Sequence, residues 1–289
     1  MRRGYRRSQM AEIVGVLGVT HNPLMWSSLR DPLADDLVEV AANFERLRAR
    51  VADLGPDVIV MVASDHFHML MTWNMPAFMI GRAPEMRAGH PNEKRVFGLE
   101  SAIVRGDPGL GSHLLGGGDV EVGFDFAFSD EPWLDHSFLV PLLLLNPELD
   151  IPVVPVLTNC NAPPIPTSRR FAQLGTYLAG AIDSFPERRR VLVVGSGHLA
   201  VELGGPRQFL GQSPDPEFDA RAVSWMAEGA LESAVDGTGY QRLTEAGNET
   251  YQFLNYITCL AVVGGRPATL AEGIVTRFGS LPFFSWEAM

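Results

Sequence analysis

The feature that most restricts the fold is a set of four short apolar runs, each of which breaks off into residues that carry chemistry. They are IVGVLGV (13–19), VIVMVA (58–63), IPVVPVL (151–157) and VLVV (191–194). Continuous β-branched runs of this length suit strands buried on both faces, as in a sheet covered by helices. Helix-like stretches lie between them. Residues 31–55 carry Leu33, Leu37, Val40, Phe44, Leu47 and Val51 at helical spacing and stop at Gly55. Residues 166–185 carry Phe171, Leu174, Leu178 and Ile182, with Thr167 or Ser168 placed to cap the start. The alternation predicts an α/β fold: a single domain over residues 11–289 with a central, largely parallel or mixed sheet flanked by helices. No internal repeat, low-complexity block or linker divides the 289 residues, enough to bury a sizeable core. The basic opening, residues 1–10, is expected to be a disordered tail rather than a signal peptide.

The residues at the end of each strand narrow the function. The first run leads to Thr20, His21 and Asn22, and the second to Ser64, Asp65, His66 and His68. The third leads to Asn159 and Asn161, and the fourth to Ser196 and His198. Ligands of open α/β sheets bind beyond the carboxyl ends of the strands. Parallel strands would therefore bring three histidine-bearing loops to one edge. One histidine after a strand is commonly a capping or packing residue; three of the seven at matching positions point to a site. Neutral imidazoles and carboxylates are metal ligands. His21 and His66 make one pair, with His68 competing for the second place. Glu249 is the candidate carboxylate. It lies in AGNETYQFLNYITCLAVVGG (246–265), which reads as a helix with Asn248 as N-cap and Gly264–Gly265 as its stop. A carboxylate in a first turn also simply complements the helix dipole. WLDHSFLVPLLLL (133–145) sets Asp135 and His136 before a buried apolar segment, as a plain helix cap or as an acid/base pair beside a metal.

Other chemistries fit less well. A net charge of −11 argues against general nucleic-acid binding, and no apolar run is long enough for a membrane span. Two cysteines, Cys160 and Cys259, form neither a disulfide framework nor a CxxC site, as suits a reducing cytoplasm. GSGH (195–198) and LLGGGD (114–119) complete neither a dinucleotide fingerprint nor a Walker A loop, and GSG is not a nucleophile elbow. Met69, Met71, Trp73 and Met75 read as core more readily than as an aromatic pocket. Arg169, Arg170 and Arg207 are the arginines available to an anionic substrate, and residues 211–237 read as peripheral helices.

Six segments in this order, THNP, SDHFHMLMTWNMPAFMIG, DHSFLVPL, PVVPVLTNCNAPPIPTSRRFAQLG, VVGSGH and GNETYQFLNY, together resemble the class III extradiol ring-cleavage dioxygenases. These are the catalytic subunits typified by protocatechuate 4,5-dioxygenase and 2,3-dihydroxyphenylpropionate dioxygenase. The resemblance runs from about residue 13 to the closing RFGSLPFF and implies a single α/β domain. It implies His21, His66 and Glu249 as ligands of Fe(II), a two-histidine, one-carboxylate set that leaves positions open for a catechol-type diol and O2. By the same resemblance, His136 handles a proton at substrate or oxygen and Asp135 orients its ring, while His68 is unmatched and becomes a pocket-wall or packing residue. The family reads GSGGLSH where this chain reads GSGHLAV, so the base histidine falls on Val201. His198, three residues earlier, is the substitute candidate, and a changed base would suit an aminophenol or hydroxypyridine analogue. Partners implied are a small aromatic substrate and O2, within a homo-oligomer or beside a small accessory subunit. Two alternatives stay open: a zinc-containing relative of the same fold, and a non-catalytic binding protein that keeps the fold.

Overall fold

A computed structural model describes residues 10–29, 33–116, 123–208 and 210–287. Residues 1–9 of the expected tail, residues 31–32 of the first expected helix and residues 117–119 of the glycine-rich segment lie outside the described residues.

All four apolar runs form strands: β1 (Glu12–Thr20), β2 (Val58–Ser64), β8 (Val153–Thr158) and β9 (Arg190–Gly197). They lie side by side in the order β1-β9-β2-β8, every pair parallel, as the centre of an eight-stranded sheet. Side chains alternate across a strand, and β2 shows this directly. Val58, Val60 and Val62 enter one apolar cluster, whereas Ile59, Met61 and Ala63 enter the cluster on the other face. That double burial is why these runs are apolar at every position.

Antiparallel strands finish both edges. β11 (Gly279–Glu287) pairs with β1, and β10 (Leu270–Thr276) pairs with β11. On the other side β3 (Phe78–Gly81) runs against β8, and β6 (Ala127–Ser129) runs parallel to β3. The sheet is therefore mixed, with a parallel centre. A smaller sheet holds β4 (Glu85–Ala88) between β5 (Ala102–Arg105) and β7 (Trp133–Leu134).

The expected helices form with trimmed ends. α2 (Val38–Leu54) stops at Gly55, whose φ of 51° is the left-handed cap that glycine adopts without a Cβ clash. A 3₁₀ turn over Asp35–Leu37 precedes it, so Leu33 stands outside the helix. α6 (Ser168–Asp183) is capped by Thr167, whose side chain accepts from the Arg170 amide. α7 (Pro216–Glu228) and α8 (Leu231–Gly237) occupy the region read as peripheral helices. Three shorter helices, α1 (Pro23–Ser28), α4 (Pro108–Gly116) and α9 (Tyr240–Ala246), fill connections between these elements. Among the described residues no helix is long and apolar enough to cross a membrane.

The expected helix over 246–265 is corrected in its first half. Thr250–Phe253 is a 3₁₀ turn, and the α-helix, α10, spans Leu254–Val262 before the positive-φ pair Gly264 and Gly265. Asn248 does not cap it; its side chain pairs with the backbone of Leu203, accepting from N–H at 2.8 Å and donating to the carbonyl at 2.7 Å. That pairing leaves Glu249 turned into the protein rather than spent on a helix end.

α10 packs closely on α6 across Gly175. A Cβ there would collide with the Thr258 carbonyl oxygen and come within 2.7 Å of the Ala261 Cβ. Gly175→Ala should therefore destabilise the protein by about 1–3 kcal/mol in urea denaturation, despite alanine's better helix propensity. An unchanged midpoint would show that the crossing is looser than its geometry.

Candidate metal centre

The carboxyl ends of β1, β9 and β2 bring His21, His198 and His66 together, and the N-terminus of α5 (His136–Leu145) adds His136. Ring centroids lie 5.3 Å apart for His21–His66, 4.2 Å for His66–His136, 5.6 Å for His21–His136 and 4.2 Å for His21–His198. His21 is fully buried, and His136 and His198 are nearly so. His21, His66 and His136 each place a ring nitrogen within 4.8 Å of the other two.

Hydrogen bonds select the tautomer of each ring. Ser196 Oγ donates to the Ser137 carbonyl at 2.6 Å, so its single proton is used. His21 Nδ1, 2.7 Å from that oxygen, must therefore donate to it, leaving a lone pair on Nε2. His66 Nδ1 donates to Asp135 Oδ2 at 2.9 Å, and His136 Nδ1 donates to Glu93 Oε1 at 2.6 Å. Each of the three rings thus keeps a lone pair on Nε2. Nε2 of His21 is buried without a partner. Lone pairs gathered in a buried space are costly unless a cation or donor meets them. The donor set fits a divalent metal bound through imidazole.

Two sequence expectations change here. Asp135, expected to orient His136, instead caps α5, accepting from Ser137 N–H at 2.9 Å, and holds His66 through both its amide and its ring. The residue behind His136 is Glu93, in α3 (Pro91–Phe97), which accepts from the His136 amide at 2.8 Å as well as from the ring. Glu93 also accepts from the His90 amide at 2.7 Å, the reciprocal capping arrangement three residues apart. That spacing in HPNE is the one signal that could have drawn attention to it.

Glu249 is brought to the same place but is outside the three-histidine cluster. Its link to it is Gln252, whose amide nitrogen lies 3.1 Å from Glu249 Oε2 and 2.9 Å from His66 Nε2. Gln252 escapes sequence reasoning because an α-helix puts residues i and i+3 only roughly in line. The 3₁₀ turn eclipses them.

His68 is separated from His66 by Phe67, whose φ of 59° is left-handed and unusual outside glycine. It contacts Asn92 at 3.3 Å and lies 3.8 Å from Asp135 Oδ2, against the carboxylates rather than among the cluster's lone pairs. Asp65 organises this loop by accepting from the amides of His68, Met69 and Leu70.

Electrostatics follow from burial. Burial holds the pKa of His21 well below the usual imidazole value, and the neighbouring imidazoles add to the effect. Burial, aided by His66 and His136, pushes that of His198 down to about 3. Burial also lowers His136, against the pull of Glu93. His66 is the exception: burial opposes its protonation, but Asp135 beside it outweighs this and raises its pKa. Burial raises Glu249. Cys160 is pushed up to about 12 by burial and is no nucleophile. The three arginines are engaged elsewhere: Arg169 with Glu232, Arg170 over the Phe124 ring, and Arg207 with Glu202. Trp73 is 82% exposed and belongs to neither core nor pocket wall.

Comparison with known proteins gives the family. Residues 15–279 match the family described as the catalytic LigB subunit of aromatic ring-opening dioxygenase. The chain belongs to this family. It is 32% identical over 274 residues to the 2,3-dihydroxyphenylpropionate/2,3-dihydroxicinnamic acid 1,2-dioxygenase of Azotobacter vinelandii, covering 91% of this chain and 82% of that one. It is 32% identical to the enzyme of the same name from Paraburkholderia xenovorans, covering 87% and 90%. The fold matches the crystal structure of uncharacterized protein JW3007 from Escherichia coli K12 with a TM-score of 0.56 at 17% identity, over 94% of this chain and 99% of that one. This LigB-family chain is a ring-cleavage dioxygenase.

Replacing the carboxylate behind His66 tests the tautomer argument. Asp135→Asn should weaken divalent metal binding by about 10- to 100-fold, read by Co(II) titration. Wild-type affinity in a folded variant would remove His66 from the ligand set.

Proposed function

We propose that the protein is an Fe(II)-dependent extradiol dioxygenase that opens the ring of a small aromatic vicinal diol, or of an aminophenol or hydroxypyridine analogue. The observation that carries this reading is the convergence of imidazole Nε2 lone pairs, with the half-buried Glu249 carboxylate joined to His66 through Gln252, within a ring-opening dioxygenase family. His21, His66 and Glu249 are the proposed ligands. Iron held there would supply a redox-active Lewis acid for a diol and O2. Zinc would suit the same ligands but has no redox chemistry, which favours iron for an oxygen-inserting enzyme.

The chain's own residues handle protons. His136 has a lone pair on Nε2 and Glu93 behind Nδ1, so it can take a proton from a diol hydroxyl and keep the imidazolium paired. His198 has no carboxylate partner, and its Nδ1 is buried without one. With its pKa held near 3, it stays neutral. It can orient a hydroxyl by accepting a hydrogen bond, and it is the substitute candidate for the family's base, which falls on Val201 three residues later. His136 is thereby the better proton carrier of the two, with His198 and the His66-holding Asp135 in support.

A cavity of about 340 Å³ is lined among others by Asn22, Val201, Leu203 and Phe278. Its cations are already paired, Arg207 with Glu202 and Arg277 with Asp36.

A panel of catechols, aminophenols and hydroxypyridine diols, followed by oxygen consumption and by the yellow ring-opened product, tests the activity. Metal content of anaerobically purified protein separates iron from zinc. Glu249→Ala should lose iron and ring cleavage together, whereas full iron and activity would sink the ligand assignment. Glu93→Gln should lower kcat more than it changes KM, because it weakens the support of a protonated His136 without touching the substrate.

A further inference from the structure

Gln252 is 1% exposed and reaches both proposed ligands that lie on its side of the centre. Its Nε2 donates to His66 Nε2 at 2.9 Å and to Glu249 Oε2 at 3.1 Å, which uses both amide hydrogens. His66 Nδ1 is committed to Asp135, so Nε2 is the only nitrogen His66 can offer a metal. A lone pair directed at an N–H cannot also be given to a cation. Amide and metal therefore compete for the same atom. The other end of the amide, Oε1, is buried without a hydrogen-bond partner. His21 Nε2 is likewise without a hydrogen-bond partner.

We propose that Gln252 is a built-in competitor for the metal, holding His66 and Glu249 by their ligating lone pairs and swinging aside when they bind a cation. The inference rests on the assignment of His66 and Glu249 as ligands. Its placement follows the start of the 3₁₀ turn over Thr250–Phe253, where the Gln252 amide donates to the Glu249 carbonyl at 3.3 Å. The arrangement has two effects. It gives a half-buried imidazole and a half-buried carboxylate a shared donor. It also keeps them from closing into a direct imidazolium–carboxylate pair, which would seal the site. Affinity for the metal is then the ligand set's own affinity less the hydrogen bonds that must be broken.

The test is Co(II) binding to the full chain, by competition with a chromophoric chelator, together with thermal unfolding with and without Co(II). Gln252→Met keeps the length of the side chain and removes the amide. It should bind Co(II) about ten-fold more tightly than wild type, the scale of two net hydrogen bonds, and should melt lower than wild type without Co(II). Unchanged or weaker affinity in this variant overturns the proposal, because it would make Gln252 a support for the ligands. Gln252→Asn, whose amide falls one methylene short of both partners, should also tighten binding and serves if the methionine variant does not fold. Failure of the wild type to bind Co(II) at all would overturn the ligand assignment as well. Unchanged affinity in the variants would overturn the competition alone.

Discussion

Three imidazoles at the edge of a sheet are each held by a hydrogen bond at Nδ1: His21 by Ser196, His66 by Asp135 and His136 by Glu93. The centre depends on these bonds, because a neutral imidazole has one lone pair and its partner decides which way that lone pair faces. The partners are themselves fixed. Ser196 is anchored by donating to the Ser137 carbonyl, Asp135 by capping α5, and Glu93 by closing the turn at His90. α5 thus starts at a point where one aspartate serves helix, loop and imidazole at once.

The parallel centre of the sheet explains why these groups meet. Strands β1, β9 and β2 end on the same edge, and the residues just beyond each are polar because the pocket is there. Buried Asn255 on α10 braces this edge from below, donating to the Ser196 carbonyl at 2.8 Å and accepting from Thr158 Oγ1 at 2.8 Å. The close approach of α10 to β9 and α6 requires glycine at 195 and 175, since side chains there would strike Cys259 and the Thr258 carbonyl. Packing on one face of the sheet therefore sets how deep the Glu249 and Gln252 turn sits in the site.

Electrostatically the site is a set of mostly neutral imidazoles backed by carboxylates. Burial keeps His21, His136 and His198 uncharged, while Asp135 favours charge on His66. The proposed division of labour reflects this. A histidine with a carboxylate behind it can carry a proton, and one without can only accept a hydrogen bond. The absence of a histidine at Val201 does not leave this LigB-family site without an imidazole, because His198, at the end of the neighbouring strand β9, stands against His21.

The apolar runs by themselves determined the four parallel strands, because a strand buried on both faces must be apolar at every position. The turns beyond them determined where His21, His66 and His198 would emerge. The edge strands were not legible: β10 and β11 mix polar and apolar residues, and β3 and β6 are short. Which carboxylate stands behind which histidine was decided only by tertiary structure. Asp135 precedes His136 in the chain yet serves His66, since a residue capping a helix directs its side chain away from its own neighbour on that helix. Glu93 comes from a segment 43 residues earlier. Gln252 depends on a 3₁₀ turn where an α-helix was expected, next to the long-range Asn248–Leu203 pairing, which local propensity does not reveal.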